Sequence, residues 1–364
     1  MRKAICIFLF LSCLFPSLFS QEENSVWISF QNKGSDLIGY KDLNGNIRIE
    51  PKFGLFTSAG KFENIIAVSE KQEDNHFKNY YLTKDGKIVG KDSLYISDFS
   101  YDCENEGFIR FQHKGLIGIL NSKGEVVVPA IYNYLTNMRN GMAIGLKDAI
   151  KKHEDNNSGC EHFEWSGGKY QLIDTLNQVL AESVNYNGNL NFYSVKQSAY
   201  PVSDSVSVCF PSKDGRYYYS FVDFSKEFKK WFSEEFSKNT TPEKLLQMSF
   251  DSIIWEGKNK WETANKLKFI TNNFHLLKKV LEKTVSNKTE QFLSFNMPNP
   301  FIGEKKQFKK YLNNCGELME WKYPALTLYV SSGTTGQFQD QFDFIRTDEG
   351  YRLFSVTFRS HTLK

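Results

Sequence analysis

Beyond residue 20 the chain has no apolar run approaching the ~20 residues that a membrane-spanning helix needs. It has little excess charge of either sign, with 45 Lys and Arg against 42 Asp and Glu, a formal net charge of +3. Such a balance lacks the basic footprint of a nucleic-acid-binding protein, so no nucleic-acid partner is expected. Cysteine is sparse, six in 364 residues. A phosphate-cradling glycine loop, a serine nucleophile elbow and a defensibly spaced carboxylate pair are all missing, so no catalytic residue, no cofactor and no metal site is expected.

What is present begins at the N-terminus. Arg2 and Lys3 precede an apolar run from Ala4 to Leu14, which continues past Pro16 to Phe19 and Ser20 and turns polar at Gln21. That order predicts a signal peptide over residues 1–20 and an exported mature chain, in the periplasm, at the cell surface or secreted. Pro16 interrupts a run already short for a membrane anchor. Cleavage before an acylated Cys13 is the alternative, but it would leave the apolar stretch Leu14–Phe19 where a polar tether is needed. Loss of Arg2 and Lys3 would bring the net charge from +3 to +1. The remaining cysteines, Cys103, Cys160, Cys209 and Cys315, allow three complete disulfide connectivities.

From residue 27 onward one local pattern recurs. Leu37–Ile49 and Leu116–Pro129 each read as strand, glycine-bearing turn and strand, and worn copies cover Tyr80–Val89 and Tyr170–Leu180. The turn positions are Gly45, Gly86, Gly124 and Asn177, spaced by 41, 38 and 53 residues. Each should adopt positive φ, which suits glycine and, next best, asparagine. The long spacing predicts an insertion near 148–168. A later strand in each unit is expected at Phe62–Val68, Gly107–Phe111, Gly141–Gly145 and Leu190–Val195.

The segments Gly39–Asp42 through Glu50–Phe53, and Gly118–Asn121 through Val128–Tyr132, resemble bacterial WG repeats: a glycine after an aromatic, an extended pair, a D-x-x-G turn and a Pro-aromatic step. The signature tryptophan is replaced by Ile38 and Ile117. The resemblance covers roughly residues 27–200. It implies a noncatalytic all-β array of antiparallel hairpin units in an exported or envelope-associated protein. Uneven spacing favours an open or loosely curved array over a closed ring.

Composition changes near residue 210, which divides the mature chain into a repeat domain over 21–210 and an α+β domain over 215–364. Phe221, Phe224, Phe228, Trp231, Phe232 and Phe236 recur at helical steps, and Thr241-Pro242-Glu243 reads as an N-cap with proline at the first helical position. Further helices are expected at Asn273–Lys283 and Lys305–Leu312. Strands are expected at Ala325–Val330, Gln337–Arg346 and Tyr351–Arg359, separated by Gly333, Gly336 and Gly350. Helices packed on an antiparallel sheet are similar to the cone-shaped nuclear-transport-factor-like domains over roughly 215–361, carried by the helix Asp223–Phe236 and the hairpin Phe342–Arg346 with Tyr351–Val356.

A few residues invite chemistry. His153, Cys160 and His162, with Glu161 or Glu164, have zinc-ligand atoms but match no established spacing, and the flank Glu154–Gly159 reads as a solvated loop tip. His275 could partner Asp343 in a cavity, though a structural histidine is the commoner outcome. Tyr217-Tyr218-Tyr219, Trp255 and Trp261 offer stacking surfaces, yet consecutive strand residues face opposite ways and core packing is the default. The pairs Lys229-Lys230, Lys278-Lys279 and Lys309-Lys310 fit solvated helix faces. The leading expectation is a noncatalytic module that binds an envelope component or protein partner. The alternative is an enzyme or small-ligand carrier with its site in a C-terminal cavity.

Overall fold

Asp42, Asn121 and Asp174 each start the same local event. The side-chain oxygen of each accepts two backbone N–H groups, two and four residues ahead: Asn44 and Asn46 at 2.9 Å, Lys123 and Glu125 at 3.0 Å, Leu176 and Gln178 at 2.9 and 2.8 Å. Thr83 does part of this, taking the Lys87 N–H at 3.0 Å. Three residues on, Gly45, Gly86, Gly124 and Asn177 donate back to the starting carbonyls. Their φ values are 89°, 89°, 70° and 59°. All four expected turns therefore form with the expected backbone, because short polar side chains satisfy the turn's own N–H groups.

The computed structural model describes residues 26–97, 99–153, 163–285, 291–295, 306–332 and 338–364. The expected leader, the loop tip at 154–159, Cys160, Glu161, His162, Gly333 and Gly336 lie outside the described residues. Around the four turns the chain is predominantly antiparallel β in open sheets. A seven-stranded sheet holds the first two turn units, followed by a two-stranded pair, Ile96–Ser97 with Ser100–Tyr101, and sheets of three, four and three strands. The insertion is built as a long hairpin, Met142–His153 paired with Phe163–Asp174.

The second recurring glycine has a different cause. A Cβ on Gly118 would lie 2.6 Å from both the Val128 carbonyl and the Phe111 ring, and one on Gly39 would lie 2.6 Å from the Ile49 carbonyl. The bulge that contains Pro51 or Pro129 presses the partner strand into this position. Small cores lie between neighbouring units, from Tyr40, Phe53 and Phe62 with Tyr80 and Leu82 in the first to Ile144 and Leu172 with Phe192 and Phe221 in the last. Glu104 ties neighbouring units, accepting the backbone N–H groups of Asn64 and Ile65 at 3.0 and 3.1 Å and the Asn64 amide at 2.6 Å. Glu104→Ala strips buried donors of their acceptor and should cost about 2–3 kcal/mol in a urea titration.

The first helix begins directly after Asp223. The strand Tyr218–Asp223 pairs with Leu190–Ser198 and Ser207–Pro211, and Asp223 then caps the helix α1 (Phe224–Trp231) by accepting the Lys226 N–H at 3.1 Å. A π-helical turn, Phe232–Phe236, extends it. Helix α2 (Pro242–Gln247) starts at Thr241 and Pro242 as its sequence predicts. Helix α3 (Lys266–Val285) begins earlier than Asn273, and the helix expected at Lys305–Leu312 is a short 3-10 turn, Lys306–Tyr311.

These elements pack on a six-stranded sheet, and that sheet corrects the antiparallel expectation. Ser249–Glu256 pairs in parallel with Gly350–Thr357, while the other pairings are antiparallel. One face carries Phe342, Phe344, Leu326 and Leu328 against the helices; the other carries Ile345 and Phe354 against Phe308 and Tyr311. Asn273 of α3 clamps the last residue, donating to the Lys364 carbonyl and accepting its N–H at 2.6 and 2.8 Å.

Candidate functional site

Residues 105–108 and 139–142 make the same tight turn in successive units. Asn105 and Phe108 exchange backbone hydrogen bonds, as do Arg139 and Met142. Glu106 accepts the N–H of Asn140 at 3.0 Å and the Tyr193 hydroxyl at 2.5 Å, locking the second turn in place. The Arg139 side chain is thereby delivered from a rigid support to the boundary with the C-terminal region.

The opposite wall comes from a turn that repeats the array's own chemistry. Asn313 accepts the N–H groups of Cys315 and Glu317 at 2.9 Å, and Gly316, at φ 82°, donates to the Asn313 carbonyl. The pattern Asn313-Asn314-Cys315-Gly316-Glu317 matches Asn121-Ser122-Lys123-Gly124-Glu125. This turn docks on the first two repeat units. Lys61 donates to the Asn314 carbonyl at 3.0 Å, and Cys315 forms a disulfide with Cys103 across 212 residues of chain. Cys209 is free, beside the Ser220 hydroxyl at 3.2 Å, and Cys160 lies outside the described residues.

Between the walls lies a cleft of about 610 Å³. Asn137, Arg139 and the Asp102–Arg110 pair face it from the array, and Glu317, Glu320 and Trp321 from the C-terminal side. Arg110 is fully engaged: it donates to Asp102 at 2.5 and 3.1 Å and to the Leu135 carbonyl at 3.0 Å, and the Asp102 charge raises its pKa against the opposing effect of burial. Arg139 is not. Its guanidinium stands over the Phe192 and Trp321 rings, 5.6 and 5.4 Å from their centroids. One end reaches the Tyr186 hydroxyl at 3.4 Å, while Nε is buried without an acceptor. Glu320 is accessible from the cleft yet surrounded by protein; that crowding pushes its carboxyl pKa up, with Arg139 pulling the other way.

The residues singled out from the sequence lie elsewhere. His275 is exposed on α3, whereas Asp343 accepts the Thr327 hydroxyl at 2.6 Å within the sheet, where burial pushes its carboxyl up. Glu164 is exposed on the long hairpin, and among the described residues no group of three or more His, Cys, Asp or Glu is placed to hold a metal. Trp255 is core, 5.0 Å from Phe269, and Tyr219 is buried, while Trp261 keeps 40% of its surface. Lys229, Lys230, Lys279, Lys309 and Lys310 are exposed and Lys278 is half-buried, as helix surfaces dictate. Sequence reading missed the cleft, although the Asn313–Glu317 turn was a legible copy of the repeat turn.

Among the described residues no helix is long and apolar enough to cross a membrane. No curated protein matches the chain. Residues 117–145, which hold one complete hairpin turn and supply both Asn137 and Arg139 to the cleft, match the family model of the WG containing repeat.

Proposed function

We propose that this is an exported, noncatalytic binding protein of the bacterial envelope, in which WG-type units form a scaffold and a ligand occupies the cleft beside Arg139. The observation that carries this reading is a cleft of about 610 Å³, a size typical of small-ligand sites, lined by Arg139, whose guanidinium has the Tyr186 hydroxyl as its one hydrogen-bond partner among the described residues. A guanidinium lining a cleft with most of its N–H groups unspent is an incomplete interaction that a ligand can complete. The Cys103–Cys315 bridge supports export, since such bonds persist in oxidising compartments.

The alternative, a site inside the C-terminal cone, has less support. The space between α1 and the sheet is filled by Phe228, Phe232, Phe236 and Phe344 in mutual ring contact. The helix-on-sheet packing supports an α+β unit there, with aromatic rings occupying the place of a cavity.

Thermal melts of the protein against fractions of a bacterial envelope extract test the reading. A ligand present at a hundred times its dissociation constant should add about 2.7 kcal/mol to the stability of the parent. The same fraction should add little to Arg139→Gln. Equal stabilisation of parent and variant, or no active fraction, would remove the cleft as the binding site.

A further inference from the structure

The free groups in the cleft carry opposite charges, and they sit on opposite walls. Arg139 projects from the repeat turn and Glu320 from the C-terminal segment, close enough to interact electrostatically, yet no ion pair joins them among the described residues. Glu317 adds a second carboxylate on the Glu320 wall, held by the Asn313 amide at 3.1 Å. The other charged pair in the lining, Asp102 with Arg110, is satisfied internally. The cleft therefore offers one unspent cation facing an acidic wall.

The form of the cation matters. The Phe192 and Trp321 rings and the Tyr186 hydroxyl, which meets Nη1, hold the guanidinium in place, and Nη2 is left to meet a carboxylate. A phosphate ester would bring its negative charge against Glu317 and Glu320. A neutral sugar would bring no charge to either wall. A ligand with a carboxylate at one end and an ammonium at the other answers both walls.

We infer that the cleft binds a zwitterionic ligand, a short peptide with free termini, its carboxylate on the guanidinium of Arg139 and its ammonium against Glu320 and Glu317. This rests on the cleft being the binding site. The volume of about 610 Å³ suits a di- or tripeptide. The Asn137 amide lies where it can meet peptide groups, and the Trp321 ring lines the same space.

The test uses the full, oxidised chain immobilised and exposed to a random tripeptide pool, the same pool N-acetylated, and the same pool C-amidated, with retained peptides read by mass spectrometry. Retention of unblocked peptides is expected, with each block lowering it at least tenfold. Arg139→Gln should cease to distinguish acids from amides, and Glu320→Gln should cease to distinguish free from acetylated amines. Melting curves establish that both variants are folded, and Glu320→Gln serves alone if Arg139→Gln is not. Blocked and unblocked pools retained equally would overturn the inference. So would retention of no peptide; if an envelope fraction then still stabilised the parent and not Arg139→Gln, the cleft would stand and only the peptide class would fall.

Discussion

Replacing Cys103 and Cys315 together by serine is expected to lower the unfolding free energy by about 5 kcal/mol, from the chain entropy released when a closed loop of this length is opened. The bond spans 212 residues and joins the second repeat unit to the C-terminal turn. Opening it frees almost the whole length between the two regions in the unfolded chain, so the effect sits near the upper end for a single disulfide. Urea titration of the double variant, and of the parent with and without reductant, measures it. Cys209→Ser serves as the control, since Cys209 is free and should change stability little. A double variant within 1 kcal/mol of the parent, or a peptide map lacking the Cys103–Cys315 cross-link under non-reducing conditions, would contradict the assignment. The same variant should loosen the cleft, because Cys103 forms part of one wall and Cys315 lies two residues before Glu317 on the other.

Phe344→Ala is the second large effect, about 3–5 kcal/mol, because a fully buried ring would leave a cavity that its neighbours cannot all close. Phe344 lies within ring contact of Phe228, Trp231 and Phe236, at 5.3, 5.5 and 5.0 Å. It holds α1 and the π-helical turn to the sheet. Trp231→Ala should cost less, although its size suggests the reverse, since Trp231 is only partly buried at the edge of this cluster. Denaturant titrations of the two variants rank them directly. Phe344→Ala matching the parent would mean that the helices do not depend on this face of the sheet.

The repeat half was legible to the extent that its structure is local. Asp42, Asn121 and Asp174 bond to N–H groups within four residues, and positive φ at Gly45, Gly86, Gly124 and Asn177 follows from that five-residue chemistry alone. Thr241 and Pro242 marked a helix start for the same reason. The strand at Ser249–Glu256 was not legible: its alternation is weak, and its partner at Gly350–Thr357 lies about a hundred residues away in a parallel pairing that no hairpin turn announces.

What the sequence determined by itself was the unit: a polar turn, the strands on either side of it, and a glycine wherever backbone or ring comes too close for a Cβ. Which cysteines pair, where the array gives way to helices, and how Arg139 comes to face Glu320 were decided only in the tertiary structure. Each depends on docking surfaces from segments far apart in the chain, and such contacts leave no periodicity in the residues that make them. Turn geometry is a property of a few consecutive residues, whereas a cleft is a property of two surfaces.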